Sequence, residues 1–135
     1  MMENPFKHQG AFSWSELVVD DAEKAIEYYT KVIGWTIESV PMPGAAEGQQ
    51  YHIIKAGDDP VGGIMERTAE CFQAQVGWWS YITVDDVDAC VAKAEAAGGK
   101  VLYPPMDVPS VGRMCAIMDP CGAVVSVIQY VNDMQ

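Results

Sequence analysis

An internal repeat constrains the fold of this chain more than any other feature. The segment Trp14–Asp21 reads Trp-Ser-Glu-Leu-Val-Val-Asp-Asp, and Trp79–Asp86 reads Trp-Ser-Tyr-Ile-Thr-Val-Asp-Asp 65 residues later. Gly34 and Gly99 are separated by the same interval. Matches of this kind at one spacing indicate a duplicated unit. The 135 residues are therefore predicted to form a single domain, residues 1–135, with repeats over 11–66 and 77–130.

A strand and a helix open each predicted copy. The strands cover about residues 11–19 and 78–84, which are rich in β-branched and aromatic residues. An Asp pair follows each strand and predicts a helix N-cap, because a short carboxylate accepts hydrogen bonds from the first helical N–H groups. Glu23 and Asp88, three residues after the first Asp of each pair, indicate a capping box.

Three more strands complete each copy. Glycines end the helices at Gly34 and at Gly98-Gly99, since glycine tolerates the left-handed backbone of a helix C-terminus. The strands are expected near 36–40, 50–56 and 61–66, and near 100–103, 112–118 and 123–130. Residues 67–77 are the expected linker. The predicted fold class is α+β, with two βαβββ units and helices on one face of the sheet.

The charge of the chain argues against nucleic acid and membrane surfaces as partners. Nineteen acidic and eight basic residues give a net charge of -11, which repels phosphate backbones and anionic lipids. The first residues hold no apolar run typical of a secretion signal, and no stretch approaches the roughly 20 apolar residues of a membrane span. A cytoplasmic location is therefore expected, with four free thiols at Cys71, Cys90, Cys115 and Cys121.

Alternation along the two repeat strands separates two faces. Leu17 and Val19, with Ile82 and Val84, are expected to pack under the helices. The other face carries two indoles, a carboxylate and a phenol, on Trp14, Trp79, Glu16 and Tyr81. If the two units face each other, these side chains line a concave cleft of the kind that binds small organic molecules. The Gly62-Gly63 doublet predicts a close approach of a ligand or of a neighbouring strand.

The duplicated pattern resembles the vicinal oxygen chelate superfamily, which includes glyoxalase I, bleomycin resistance proteins and extradiol dioxygenases. The residues that carry the resemblance are Val19-Asp20-Asp21, Gly34-Trp35, Val84-Asp85-Asp86, Gly98-Gly99 and Asp119-Pro120-Cys121-Gly122. The resemblance covers the chain from about residue 10 to 130. It implies a cup-shaped mixed sheet with helices on the outside, and a homodimer, since members pair their units within one chain or between two.

Metal-using members of this superfamily carry a His, Glu or Gln ligand on the first and last strand of each unit. The resemblance places these positions at Trp14, Trp79 and Ser126 and, within one residue of register, near Gly63. Indole has no usable lone pair, glycine has no side chain, and a neutral hydroxyl is a weak ligand. The sequence therefore predicts no metal and no cofactor, which argues against the Lewis-acid chemistry of glyoxalase I.

Six residues are predicted to line the cleft: Trp14, Glu16, Trp79, Tyr81, Arg113 and Ser126. Glu16 is either a general base beside the indoles or a solvated or salt-bridged carboxylate. The indoles either stack on a planar ligand or fill the core. Arg113 either clamps a ligand carboxylate or enolate, or pairs with Glu16 or with a surface acid. Tyr81 and Ser126 are candidate hydrogen-bonding groups, with Ser126 alternatively a space filler.

Three functions stay open at this point. The first is a metal-independent member of the superfamily that binds a small organic molecule in the cleft, with or without transforming it. The second is a non-catalytic sequestering protein of the bleomycin-resistance type with the same pocket. The third is a metal-dependent lyase, similar to lactoylglutathione lyase, or a dioxygenase, whose ligands lie at other positions of the chain.

Overall fold

The computed structural model describes residues 4–42, 48–67 and 75–131. The chain divides into two compact units: Trp14–Trp79 is the first unit, and Met1–Ser13 together with Ser80–Gln135 is the second. Each unit carries one copy of the repeat, so the predicted α+β class and the two βαβββ units are confirmed. Most of the predicted linker 67–77, including Cys71, lies outside the described residues.

The first unit is a four-stranded sheet with one helix. Its elements are β1 (Phe12–Val19), α1 (Ala22–Val32), β2 (Thr36–Pro41), β3 (Gln50–Ala56) and β4 (Asp59–Glu66). The first two residues of β1 belong to the second unit. The strand order is β2-β3-β4-β1. β1 runs parallel to β4, and the other two pairs are antiparallel. β4 therefore lies between the strand that carries Glu16 and the strand that carries Tyr51.

The second unit repeats this arrangement. Its elements are β5 (Gly77–Thr83, from Ser80 onward), α2 (Val87–Ala96), β6 (Lys100–Val108), β7 (Gly112–Met118) and β8 (Val124–Tyr130), preceded by a short 3-10 turn (Pro5–Lys7). The strand order is β5-β8-β7-β6, with β5 parallel to β8. No helix in the described part of the chain combines the length and hydropathy needed to cross a bilayer.

Both helices begin at the second Asp of the predicted pair. Asp21 accepts a hydrogen bond from the Lys24 amide at 3.1 Å, and Asp86 accepts one from the Ala89 amide at 3.1 Å. The N-cap prediction is confirmed. The capping box is not formed by acidic residues, because with the N-cap at the second Asp the third helical position falls on Lys24 or Ala89.

A side chain from the last strand of each unit completes the start of the helix. Glu66 Oε2 accepts a hydrogen bond from the Ala22 amide at 2.9 Å in the first unit. Gln129 Oε1 accepts one from the Val87 amide at 3.1 Å in the second. These contacts satisfy a first-turn N–H group that has no partner within the helix.

The core of each unit lies between its helix and one face of its sheet. The buried residues are Leu17, Ala22, Ile54 and Ile64 in the first unit, and Val84, Val87, Cys115 and Val127 in the second. Val19 and Ile82 pack against these clusters, so the predicted helix-facing residues are confirmed. Because side chains alternate along a strand, Glu16 and Tyr81 lie on the opposite face of their respective units.

β6 extends five residues beyond its predicted end at Tyr103. It continues through Pro104-Pro105 to Val108, with register shifts on both sides of Tyr103. Proline cannot donate a ladder hydrogen bond, and it is tolerated here because β6 is the outermost strand of its unit.

Candidate functional site

A chain of three hydrogen-bonded side chains lies on the first unit's sheet, on the face opposite α1. The indole Nε1–H of Trp14 donates to the hydroxyl of Tyr51 at 2.7 Å. The same hydroxyl donates to Glu16 Oε2 at 2.8 Å. All three residues are half-buried. Two predicted site residues are thus joined by a tyrosine that the sequence analysis did not identify.

Strand alternation places all three side chains on this face. On β1, Leu17 packs against α1, so its neighbour Glu16 and, two residues earlier, Trp14 point to the opposite face. On β3, Ile54 packs against α1, and Tyr51, three residues before it, therefore points away from the helix. Further apolar side chains of β1, β3 and β4 share the face: Val18, Ile53 and Met65.

Gly63 makes the contact between Tyr51 and Glu16 possible. It lies on β4 with Glu16 beside it on β1 and Ile53 beside it on β3. A Cβ atom added at Gly63 would lie 2.0 Å from the Tyr51 hydroxyl oxygen and 2.1 Å from its Cζ. The phenol therefore crosses β4 over the glycine. The neighbouring Gly62 allows a different close approach, since its added Cβ would lie 2.5 Å from the Ser15 carbonyl oxygen.

The second unit carries Tyr81 and Ser126 side by side on its face opposite α2. The two residues are register partners on the parallel strands β5 and β8. Their exposed fractions are 7% and 4%, so both are buried. This register makes Ser126 the equivalent of Gly63, whose position the sequence left uncertain by one residue.

Arg113 does not lie on the same face as Tyr81 and Ser126. Its Nε donates to Asp88 of α2 at 3.1 Å, and its Nη1 donates to Asp107 of β6 at 3.1 Å. Cys115, two residues along β7, packs under α2, so Arg113 is on the helix-bearing side. The two carboxylates raise the pKa of Arg113 above its usual range and keep it charged. The predicted cleft position is corrected to the alternative, a pair with surface acids.

Trp79 and His52 have local partners. The indole N–H of Trp79 donates to the Gln75 carbonyl at 3.0 Å. His52 Nδ1 lies 2.7 Å from the Ser39 hydroxyl, on the face of β3 that carries Ile54. His52 is therefore a neighbour of the helix layer and is separated from Glu16 by the sheet. Whether Trp79 contacts a ligand stays a prediction.

Each unit has a depression beside the start of its helix. In the first unit it has a volume of about 340 Å³ and is lined by Val19, Asp21, Lys24, Ala25 and Tyr28. In the second unit it has a volume of about 330 Å³, and its lining includes Val84, Asp86 and Cys90, the repeat equivalents. Both depressions thus follow from the βα geometry that the units share, and none of the six predicted site residues lines them.

Comparison with protein families identifies the fold family. The family model described as Glyoxalase/Bleomycin resistance protein/Dioxygenase superfamily matches residues 11–127. The chain belongs to this superfamily. The match covers both βαβββ units and confirms the resemblance based on the repeat.

Two similar proteins come from Mycobacterium and Streptomyces species. A Mycobacterium tuberculosis (strain CDC 1551 / Oshkosh) protein, "Putative glyoxylase CFP32", is 43% identical over 120 residues, covering 89% of this chain and 44% of that protein. "Anthracycline biosynthesis protein DnrV" of Streptomyces peucetius is 31% identical over 130 residues, covering 87% of this chain and 46% of that protein. The chain thus spans less than half the length of these relatives.

Solved structures with the same fold include methylmalonyl-CoA epimerases. The Mycobacterium tuberculosis enzyme has a TM-score of 0.65 at 15% identity, with 99% of this chain and 95% of that chain covered. A Streptomyces coelicolor variant in complex with 2-nitronate-propionyl-CoA has a TM-score of 0.64 at 17% identity, with 93% and 97% covered. At this identity the likeness shows the fold alone.

The superfamily's metal positions do not carry metal ligands in this chain. Trp14 uses its only polar hydrogen to bond Tyr51, and the space above Gly63 is filled by the Tyr51 ring. Ser126 offers a neutral hydroxyl. Within residues 4–42, 48–67 and 75–131, no three His, Cys, Asp or Glu side chains are grouped to hold an ion. The donor set at these positions therefore does not fit a metal.

Proposed function

We propose that this superfamily member binds a small organic molecule on the first unit's sheet face opposite α1, with Glu16 accepting a hydrogen bond or a proton from it. The observation that supports this is the bonded chain of Trp14, Tyr51 and Glu16. Tyr51 donates its only hydroxyl proton to Glu16 Oε2, so that oxygen is an acceptor. A fixed carboxylate beside aromatic rings suits a ligand with a polar hydrogen on a planar body.

The charge distribution favours an uncharged or cationic ligand. The chain has a net charge of -11. In the first unit, Lys31, Lys55 and Arg67 are already paired with Glu27, Glu38 and Asp20. Lys24 lies on α1, on the other side of the sheet from the proposed site. A phosphorylated molecule or a coenzyme A ester needs unpaired cations at its binding site. We therefore do not expect a coenzyme A ester as the ligand, although the fold resembles that of methylmalonyl-CoA epimerases.

The names of the relatives support organic chemistry on small molecules. One relative is named as a glyoxylase and another as an anthracycline biosynthesis protein. Because this chain covers less than half of each, the names support the class of ligand and leave its identity open. Trp79, Tyr81 and Ser126 stay predicted ligand contacts.

We also propose that the protein acts as a homodimer. The family resemblance implies that such units pair within one chain or between two chains. Apolar side chains at the end of α1 are exposed and are available for association: Tyr28, Val32 and Ile33.

Ligand titration of two variants, each with one glutamate replaced by glutamine, tests the proposed site. Compounds from a library of neutral and cationic aromatics are titrated while tryptophan fluorescence is recorded. For a compound that quenches the native protein, Glu16→Gln should weaken binding about tenfold, since a hydrogen bond to a charged group is lost. Glu27→Gln, on the exposed face of α1, is the matched control and should bind as the native protein does.

Measuring product formation distinguishes a catalytic role from a sequestering role at this site. Product that the native protein forms and Glu16→Gln does not form would assign Glu16 as a general base. Binding without product in either protein would assign a sequestering role. Equal affinity of Glu16→Gln and Glu27→Gln would contradict the proposed site.

A further inference from the structure

We infer that Tyr51 is the positioning residue of Glu16, and that a glycine at position 63 is required for this role. The inference rests on the proposed function only for its consequence in ligand binding. The arrangement itself is a property of the first unit without ligand.

The three side chains form a directional relay. An indole N–H is a donor only, so Tyr51 must accept from Trp14. Its single proton is then directed to Glu16 Oε2. A hydroxyl that accepts one hydrogen bond is polarised and becomes a better donor, so the two short contacts reinforce each other. Trp14 thereby fixes which way the Tyr51 hydroxyl points.

The Tyr51 hydroxyl is one of the groups that hold the Glu16 carboxylate in place. A glutamate side chain has three rotatable bonds, and holding it in one geometry has an entropic cost. The Tyr51 hydroxyl bears that constraint before a ligand arrives. Preorganised groups of this kind are what precise binding and proton transfer require.

Gly63 determines whether the support can form. Neighbouring strands are about 4.8 Å apart, so a side chain from β3 must pass over β4 to reach β1. The Tyr51 ring passes through the space that a Cβ at position 63 would occupy, with contacts of 2.0 to 2.5 Å. Even alanine therefore displaces the hydroxyl from Glu16.

The second unit shows what the same fold does without the relay. Ser126 stands at the equivalent of Gly63, with a side chain where the first unit has none. Met114, two residues before Ala116 on β7, takes the place that Tyr51 has on β3. Both units nevertheless form the same order of strands. The βαβββ fold therefore does not require the relay, which indicates a role beyond folding.

Nuclear magnetic resonance of the indole N–H of Trp14 tests the relay in the full chain without ligand. In Tyr51→Phe, hydrogen exchange at Trp14 Nε1 should accelerate about tenfold, because one hydrogen bond is lost while the ring remains. Tyr130→Phe is the matched control, since it removes a tyrosine hydroxyl bonded at 2.7 Å to Ser13 in the second unit. It should leave the Trp14 resonance and its exchange rate unchanged.

A pair of variants at Gly63 separates the relay from folding. Gly63→Ala should lower the melting temperature and shift the Trp14 N–H resonance as Tyr51→Phe does. Tyr51→Ala itself removes a half-buried ring. The double variant should therefore melt close to Tyr51→Ala alone, because no collision remains, and the native resonance should not return. Unchanged Trp14 exchange in Tyr51→Phe would overturn the inference.

The two proposals can fail separately. Accelerated Trp14 exchange in Tyr51→Phe, with no effect of Glu16→Gln on binding of the quenching compound, would leave the relay standing and refute the proposed ligand site. If Glu16→Gln weakens binding but Trp14 exchange in Tyr51→Phe is the same as in the native protein, the ligand site stands and the relay is refuted.

Discussion

At the residue scale, one equivalent position of the repeat carries different chemistry in the two units. Glu16 has Gly63 beside it on the neighbouring parallel strand, and Tyr81 has Ser126 beside it. The glycine leaves room for Tyr51 to reach the carboxylate, whereas the serine places a side chain in that space. The two units therefore differ at all three positions of the relay, because Gly63, Glu16 and Tyr51 of the first unit correspond to Ser126, Tyr81 and Met114 of the second.

A second residue whose environment has a measurable effect is Cys115, because burial changes the pKa of its thiol. Burial raises the pKa of Cys115 from 9.0 to about 11, with a smaller contribution from the neighbouring Cys90. Unfolding exposes the thiol and lets it ionise at its ordinary value. Stability from this group is therefore complete below about pH 9 and is lost as the pH rises toward 11.

Urea unfolding of native protein and of Cys115→Ala measures this contribution. The free energy of unfolding of the native protein should fall more steeply than that of Cys115→Ala between about pH 9 and pH 11. Other groups titrate in this range in both proteins, so the difference between the two curves isolates the thiol. Parallel curves would show that Cys115 ionises alike in the folded and unfolded chain.

At the element scale, each helix is fixed at its start by two different strand ends. An Asp that follows the first strand caps the helix, and a Glu or Gln from the last strand accepts the first helical N–H. The helix is thereby tied to both strands of the parallel pair that it connects. This accounts for the close correspondence of α1 and α2 in the two repeats.

Removal of one cap should destabilise the chain by a measurable amount. Asp21→Ala leaves an N–H of the first turn of α1 without its acceptor and should lower the free energy of unfolding by about 1 kcal/mol. Asp21→Asn keeps the acceptor and should lose much less. Equal losses in the two variants, measured by urea unfolding, would assign the effect to charge at the helix start.

At the scale of the whole molecule, duplication builds two similar units in which the helix-facing core is alike and the other face is not. Both cores consist of apolar side chains packed between a helix and one face of a sheet. The opposite faces carry Trp14, Glu16 and Tyr51 in one unit and Tyr81 and Ser126 in the other. The two units therefore differ in polar and aromatic side chains on the sheet face where packing against the helix does not restrict the residue type.

Sedimentation equilibrium tests the proposed homodimer. The expected mass is twice 14.7 kDa. Because each copy carries a net charge of -11, the dimer should strengthen as salt rises from about 0.01 M to about 0.15 M and screens the repulsion. A mass of 14.7 kDa at all concentrations and both salt levels would contradict the proposal.

Features that depend on patterns along the chain can be predicted from the amino-acid sequence alone. The repeat is visible because equivalent residues recur 65 positions apart. The two Asp caps, the strand alternation and the residues under each helix follow from the order of neighbouring residues. Trp14 and Glu16 were identified for the same reason, since both point to one face of a single strand. The Gly62-Gly63 doublet indicated a close approach without showing what approaches.

Contacts between strands that are distant in sequence depend on the folded structure and cannot be predicted from patterns along the chain. Tyr51 meets Glu16 across an intervening strand, and this depends on the register of three strands and on the absence of a side chain at Gly63. Strand alternation with Cys115 places Arg113 on the α2 side of the sheet, and the tertiary structure supplies its partners there, Asp88 and Asp107. No spacing along the chain encodes these partners, because they depend on strand pairing and side-chain direction together.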